Sequence, residues 1–256
     1  MDRQKVNKLN QLLQHWPSGA PAPTVWLKKN GISRQLLDRY EEYDWVTRVA
    51  KGVVLRKGDK LTWQGVVYAV QKLQGLHVWI GGKSALQIKG VGHYISMNKI
   101  PTLWLYSSSL NRLPKWVFDL KKIVEFRFQR TKLFSEKTLK IGFSEHELEK
   151  LDITLSSPER AILELLEGVP AKQTFGEAKL IFESLATLRG HVVQSLLESC
   201  TSIKAKRLFL YLAEECGHSW FLKLNLSKIN LGKGKRAISP KGRFNAKYQI
   251  LIPREA

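Results

Sequence analysis

Gly82-Lys83-Ser84 follows an apolar run and opens a helical pattern, which is how a phosphate-binding loop of the G-x-x-x-x-G-K-S type ends. His77 stands where that loop needs its first glycine, so a tight turn with Ser84 near a helix start is the better expectation. Asp152 with Glu177-Ala178-Lys179 holds the residue types of a carboxylate-plus-lysine nuclease, which gathers them around Mg²⁺ at a strand end. Here the surrounding pattern is helical, and a Mg²⁺-dependent nuclease is kept only as an alternative. Cys200, Cys216, His191 and His218 carry enough donor atoms for zinc, but their spacing matches no common ligand pattern, and buried thiols are expected instead. His93 and His146 have no Ser or Cys partner in a recognisable motif, so no hydrolytic triad follows. The expectation is a protein with no catalytic residues, no metal and no cofactor.

Basic and amide side chains are the better-organised chemistry. On a helical wheel Leu36, Leu37 and Tyr40 share one face, leaving Arg34, Gln35, Asp38 and Arg39 to point away from the core. Such side chains can read bases: Arg pairs bidentately with guanine and Gln with adenine in the major groove, which is wide enough for a helix. Ser33 would cap this helix, and the free amides at its start could sit on a phosphate. Lys28 and Lys29 before it, and Arg48, Lys51, Arg56 and Lys57 after it, would hold phosphates, positioning the protein without specifying sequence.

The elements that must carry these residues follow from periodicity. Val6, Leu9, Leu12 or Leu13 and Trp16 mark a first helix, stopped by Pro17-Ser18-Gly19. Thr24 to Asn30 fits a second, with Thr24 as N-cap, Val25 and Leu27 on its apolar side and Gly31 as its stop. The third runs from Ser33 to about Glu42. Two β-like runs, Trp45 to Val49 and Val53 to Leu55, break at Ala50-Lys51-Gly52, and Lys57-Gly58-Asp59 closes the second. Three helices and a basic hairpin give the order of a winged helix-turn-helix.

Beyond it, Trp63 to Leu73 reads as a helix capped by Thr62, Leu76 to Ile80 as a strand, and Gly82 to Gly90 as a short helix. Residues 92–142 read as β-rich, with Leu103-Trp104-Leu105-Tyr106 and Ile123 to Phe128 the clearest strands. Ser157-Pro158-Glu159 combines an N-cap, a proline at the first helical position and an acid in the first turn. Helices follow to about Gly217, with Leu180, Leu185, Leu188, Val192, Leu196, Leu208, Phe209 and Leu212 on their apolar sides. Alternation at Leu222-Leu224-Leu226 and at Tyr248-Ile250-Ile252 predicts terminal strands. The fold class expected is α+β: an N-terminal winged helix-turn-helix with its extension in 1–96, then a mixed α/β C-terminal domain in 97–256.

Composition agrees. The 256 residues carry 42 Lys and Arg against 22 Asp and Glu, a formal net charge of +20, which attracts polyanions. Residues 1–60 carry +6, 61–140 carry +10, 141–200 carry −5 and 201–256 carry +9, so a mildly acidic helical block separates two basic regions. Within the last, Lys204, Lys206, Arg207, Lys233, Lys235, Arg236, Lys241, Arg243 and Lys247 form a candidate surface for a polyanion. Apolar stretches fall far short of a bilayer span, and the polar N-terminus and unpatterned cysteines predict a cytoplasmic protein without membrane insertion.

Three stretches go further: Val78 to Leu86 with Gly90-Val91-Gly92-His93-Tyr94; Ser156 to Leu166; and Lys204 to Glu214 continued through Leu231 to Arg236 and Lys247 to Ile250. In order and spacing they resemble the AbiEi antitoxins. That resemblance implies a type IV toxin–antitoxin, or abortive-infection, module: an autorepressor acting through its winged helix on inverted repeats in its own promoter, as a monomer binding cooperatively. It also implies an AbiEii-like nucleotidyltransferase toxin as partner, counteracted through the C-terminal domain, where the same nine cations would be the candidate antitoxin surface. An RNA- or toxin-binding module without operator specificity is the competing reading.

Overall fold

The computed structural model describes residues 11–91, 100–108, 112–135 and 140–254. The start of the expected first helix and the segment around His93 lie outside them. Helix α1 is described over residues 11–15, and Trp16 closes it by donating its indole N–H to the Ala20 carbonyl at 2.6 Å. Strand β1 (Ala22–Pro23) leads into α2 (Thr24–Lys29), and α3 (Arg34–Glu42) follows. The hairpin is β2 (Val46–Ala50) and β3 (Val53–Arg56), paired antiparallel; β3 also pairs with β1, giving a sheet of order β1-β3-β2. Leu12, Trp16, Leu27, Ile32, Leu37, Tyr40, Val46 and Val54 bury together beneath these elements. The winged helix-turn-helix is thus formed, with β1 as a strand that two residues ending in proline did not announce.

Thr62 caps α4 (Trp63–Tyr68) by accepting from the Gly65 N–H, and the helix ends in a π-helical turn, Ala69–Leu73. The Leu76 N–H returns to the Val70 carbonyl, so the expected strand from Leu76 shrinks to β4 (Trp79–Ile80). Helix α5 is Gly82–Ile88, and β5 is Thr102–Ser107. After α6 (Lys115–Asp119), the Ile123 and Val124 amides bond back to the Leu120 carbonyl; β6 therefore starts at Glu125 and runs to Arg130, later than the apolar run predicts. Strands β7 (Phe143–Leu148) and β8 (Leu151–Ser156) complete a five-stranded sheet of order β6-β5-β4-β8-β7.

Four helices follow: α7 (Pro158–Glu167), α8 (Phe175–Glu183), α9 (Gly190–Ser199) and α10 (Ile203–Glu215). Their apolar faces are buried, except that Leu180 is exposed and Val193 rather than Val192 points fully inward. The Leu222-Leu224-Leu226 segment is not a strand. It forms 3₁₀ turns at Ser219–Lys223 and Leu226–Lys228, because Trp220 anchors it by donating to the Leu185 carbonyl at 2.8 Å, leaving Leu222 exposed. The chain ends in a small sheet of order β10-β11-β9, from β9 (Arg236–Ala237), β10 (Arg243–Asn245) and β11 (Ile250–Ile252); Tyr248 falls in the preceding turn.

The architecture is α+β. Two compact units can be separated, one within Met1–Trp79, Met97–Phe128 and Glu145–Thr154, the other within Ile80–Ser96, Gln129–Ser144 and Leu155–Ala256.

Candidate nucleic-acid interface

Helix α3 begins where Ser33 takes an extended backbone and its Oγ accepts the Leu36 N–H at 3.2 Å. Leu37 and Tyr40 are buried and Leu36 half-buried, while Arg34, Gln35, Asp38 and Arg39 are exposed, as the wheel predicts. Thr24 is the first residue of α2 rather than its cap: Pro23 stands at the N-cap, and the Thr24 amide instead donates to the Gly52 carbonyl at 2.8 Å. This bond pins the hairpin tip beside α2. Gly52, at a φ of +77°, makes that tight turn without the strain a side chain would bring.

Between α2, α3 and the hairpin tip lies a groove of about 670 Å³. Lys28, Ser33, Arg34, Asp38, Arg48 and Lys51 all line it, over a floor that includes Ile32 and Leu37. Gln35 and Arg39 lie outside its lining. Lys29 instead faces a second cavity of about 320 Å³, shared with Trp26 and Arg112. Val25, expected on the apolar side of α2, is exposed and lines both; α2 instead turns Leu27 into the core, with Trp26 packed against it.

The expected phosphate clamps separate into distinct kinds. Among the described residues no ion pair is made by Lys28, Lys29 or Lys51. Arg48 meets Glu41 at 2.5 Å and Lys57 meets Asp44 at 2.6 Å, both as solvent-exposed pairs. Exposed pairs contribute only about 0–1 kcal/mol, so a phosphate can take the cation over. Arg56 is a correction. Its Nε binds Asp59 at 2.9 Å and its Nη1 reaches the Trp16 carbonyl at 3.3 Å, in a half-buried latch between the hairpin base and the end of α1. Burial opposes ionisation of Asp59, but Arg56, the Gly19 N–H and the Ser18 hydroxyl outweigh it and hold its carboxyl below the ordinary range.

The C-terminal cations need a larger correction. Lys206 and Arg207 are buried, and Lys204 bonds the Glu167 and Val169 carbonyls, so these three do not form a surface. Burial pushes both lysines below the ordinary lysine pKa. Lys247 pairs with Glu214, and Arg236 donates to the Lys233 and Lys235 carbonyls. Lys233, Lys235, Lys241 and Arg243 are exposed.

Several of the residues considered for catalysis have structural partners. The Gly82 amide, where a P-loop would meet phosphate, donates to the Glu164 carboxylate at 2.9 Å. Glu164 also accepts from Ser156 and Arg160, and the Arg160 guanidinium lies between the rings of Phe134 and Phe143. The Ser-Pro-Glu-Arg stretch is thereby the centre of a buried polar network. Ser157 takes the N-cap position of α7, yet its hydroxyl bonds Glu159 rather than a backbone amide. Glu177 is held by Lys83 and Gln173. Cys200 is buried, which pushes its thiol up to about 12, whereas Cys216 is half-exposed. Among the described residues no three His, Cys, Asp or Glu side chains gather as a metal site, and no helix is long and apolar enough to cross a membrane.

Comparison with known proteins bears on the whole chain. Residues 5–97 match the family model described as the transcriptional regulator, AbiEi antitoxin N-terminal domain, and residues 100–253 match the transcriptional regulator, AbiEi antitoxin, type IV TA system. A search of curated proteins gave no match. Among solved structures, the RV2827C protein from Mycobacterium tuberculosis superposes with a TM-score of 0.61 at 12% identity, covering 98% of this chain and 92% of that one, a likeness of fold. With two family models spanning nearly its full length and a winged helix-turn-helix at its start, the chain belongs to the AbiEi antitoxin transcriptional regulators of type IV toxin–antitoxin systems.

Proposed function

We propose that this regulator represses its own operon by laying α3 in the major groove of operator DNA, and counteracts a cognate AbiEii-like nucleotidyltransferase toxin through its C-terminal half. The observation that carries the DNA reading is the α2–α3–hairpin groove, where Lys28, Arg34, Arg48 and Lys51 converge around the capped start of a helix whose outer face is free. Arg34 and Arg39 offer forks to guanine, Gln35 pairs adenine, and Asp38 accepts from cytosine. Lys28, Lys29, Arg48, Lys51 and Lys57, with the Ser33 end of the helix, hold the flanking phosphates. The operator is an inverted repeat in the promoter, filled cooperatively by monomers in the cytoplasm. The functional division falls near residue 96, with DNA reading before it and toxin neutralisation after it.

The test is an anisotropy titration against the promoter and a scrambled duplex at ~150 mM salt, where non-specific phosphate contacts are weakened. Arg34→Ala should cost ~1–3 kcal/mol on the promoter and relax sequence preference, while full-length Arg34→Ala still rescues cells from the adjacent toxin. An unchanged preference ratio would overturn the assignment of α3. Equal, weak binding of both duplexes by the parent would favour an RNA- or toxin-binding module instead.

A further inference from the structure

Among the described residues, one face of the C-terminal sheet is left partly exposed. In β10 and β11 Phe244 stands opposite Leu251, and in β11 and β9 Leu251 stands opposite Ala237. Cross-strand partners share a face and neighbours along a strand alternate, so Phe244, Leu251 and Ala237 form one row. Ile250 and Ile252, at alternate positions, are buried on the opposite side. In the outer row Phe244 is 42% exposed, Ala237 is exposed and Leu251 is half-buried. Lys235, just before β9, places its ammonium over the Phe244 ring, 5.1 Å from its centroid. Lys233 and Lys241 are exposed in the adjoining segments, and no acidic residue occurs from Ser227 to Lys247.

We propose that this face is a binding platform for single-stranded nucleic acid, in which an unpaired base displaces the Lys235 ammonium from the Phe244 ring and stacks there, and Lys235 moves to an adjoining phosphate. A phenyl ring rewards a base only when the base's own face is free, which a duplex denies; an open sheet row with an aromatic and flanking cations suits a single strand. The stretch from Ser227 to Lys247, basic and without an acidic residue, favours a ligand with a repeating negative charge over a protein surface, whose charges are mixed. The platform shares no residue with the α3 groove, so it stands or falls independently of operator reading.

The experiment is an anisotropy titration of the full-length protein with labelled oligo(U) and oligo(dT) 12-mers and with the promoter duplex. Phe244→Ala should weaken single-strand binding roughly 5- to 150-fold, the range set by loss of one base–aromatic stack, with duplex affinity unchanged. Phe244→Trp should restore it, and Lys235→Ala should reduce the salt slope for the single strand by ~0.7. Phe244 is exposed, so circular dichroism should show the variants folded. The proposal is overturned if the alanine and tryptophan variants bind single strands as the parent does, or if single-strand and duplex binding fall together. It is equally overturned if the alanine variant keeps oligonucleotide binding but loses rescue from the toxin, which would make the face a protein-docking surface.

Discussion

Replacing Arg207 by lysine keeps the charge and removes the fork. Arg207 is 2% exposed, and its guanidinium donates from Nε to the Leu231 carbonyl at 2.9 Å, from Nη1 to Gly234 at 2.6 Å and Gln249 at 2.9 Å, and from Nη2 to Gly232 at 3.2 Å. These acceptors lie on two separate stretches, the loop before β9 and the turn before β11. An ammonium has three donors on one atom and cannot span them, so about two carbonyls lose their partner. At ~1–3 kcal/mol for each unsatisfied buried acceptor, with part recovered by water entering the loop, the loss is about 2–4 kcal/mol. That corresponds to a roughly 30- to 1,000-fold larger opening equilibrium for the C-terminal sheet. Native-state hydrogen exchange on peptides covering residues 227–252 should speed up accordingly, with a lower urea midpoint. If Arg207 were instead a surface cation, charge alone would count, and Arg207→Lys would match the parent. Parental exchange rates in this variant would refute the stitching role.

Other substitutions separate cations by their work. Lys51→Ala should lower the salt slope of promoter binding by ~1 with the urea midpoint unchanged, whereas Arg56→Ala should lower the midpoint by breaking the Asp59–Trp16 latch. Glu159 is depressed to about 2: burial opposes its ionisation, but hydrogen bonds from Arg189 and Ser157 prevail. A depressed carboxyl contributes stability that is fully present above its unfolded pKa of 4.5 and lost as pH falls toward 2, here ~2–3 kcal/mol. Glu159→Gln should flatten the stability profile between pH 5 and about 2, as read by urea midpoints. Gly65→Ala should destabilise the winged-helix unit by ~3 kcal/mol or more on thermal melting, because a Cβ there would lie 1.9 Å from the Gly19 carbonyl oxygen.

Local features were legible along the chain. Ser33 as cap, the inward pair Leu37 and Tyr40, the outward Arg34, Gln35, Asp38 and Arg39, and the Lys51-Gly52 turn all follow from helical period, capping chemistry and the freedom of glycine, which act over a few residues. Tertiary structure decided what distance conceals. Strand β1 exists because β3 supplies its partner, and the 3₁₀ turns around Leu222 exist because Trp220 is anchored to Leu185. The fates of the cations divided in the same way. Lys51 and Arg207 look alike along the chain, but one meets solvent and the other meets backbone carbonyls 24 to 42 residues away. Any residue carries such a carbonyl, so the partners of a buried guanidinium have no signature in sequence, and only the fold brings them together.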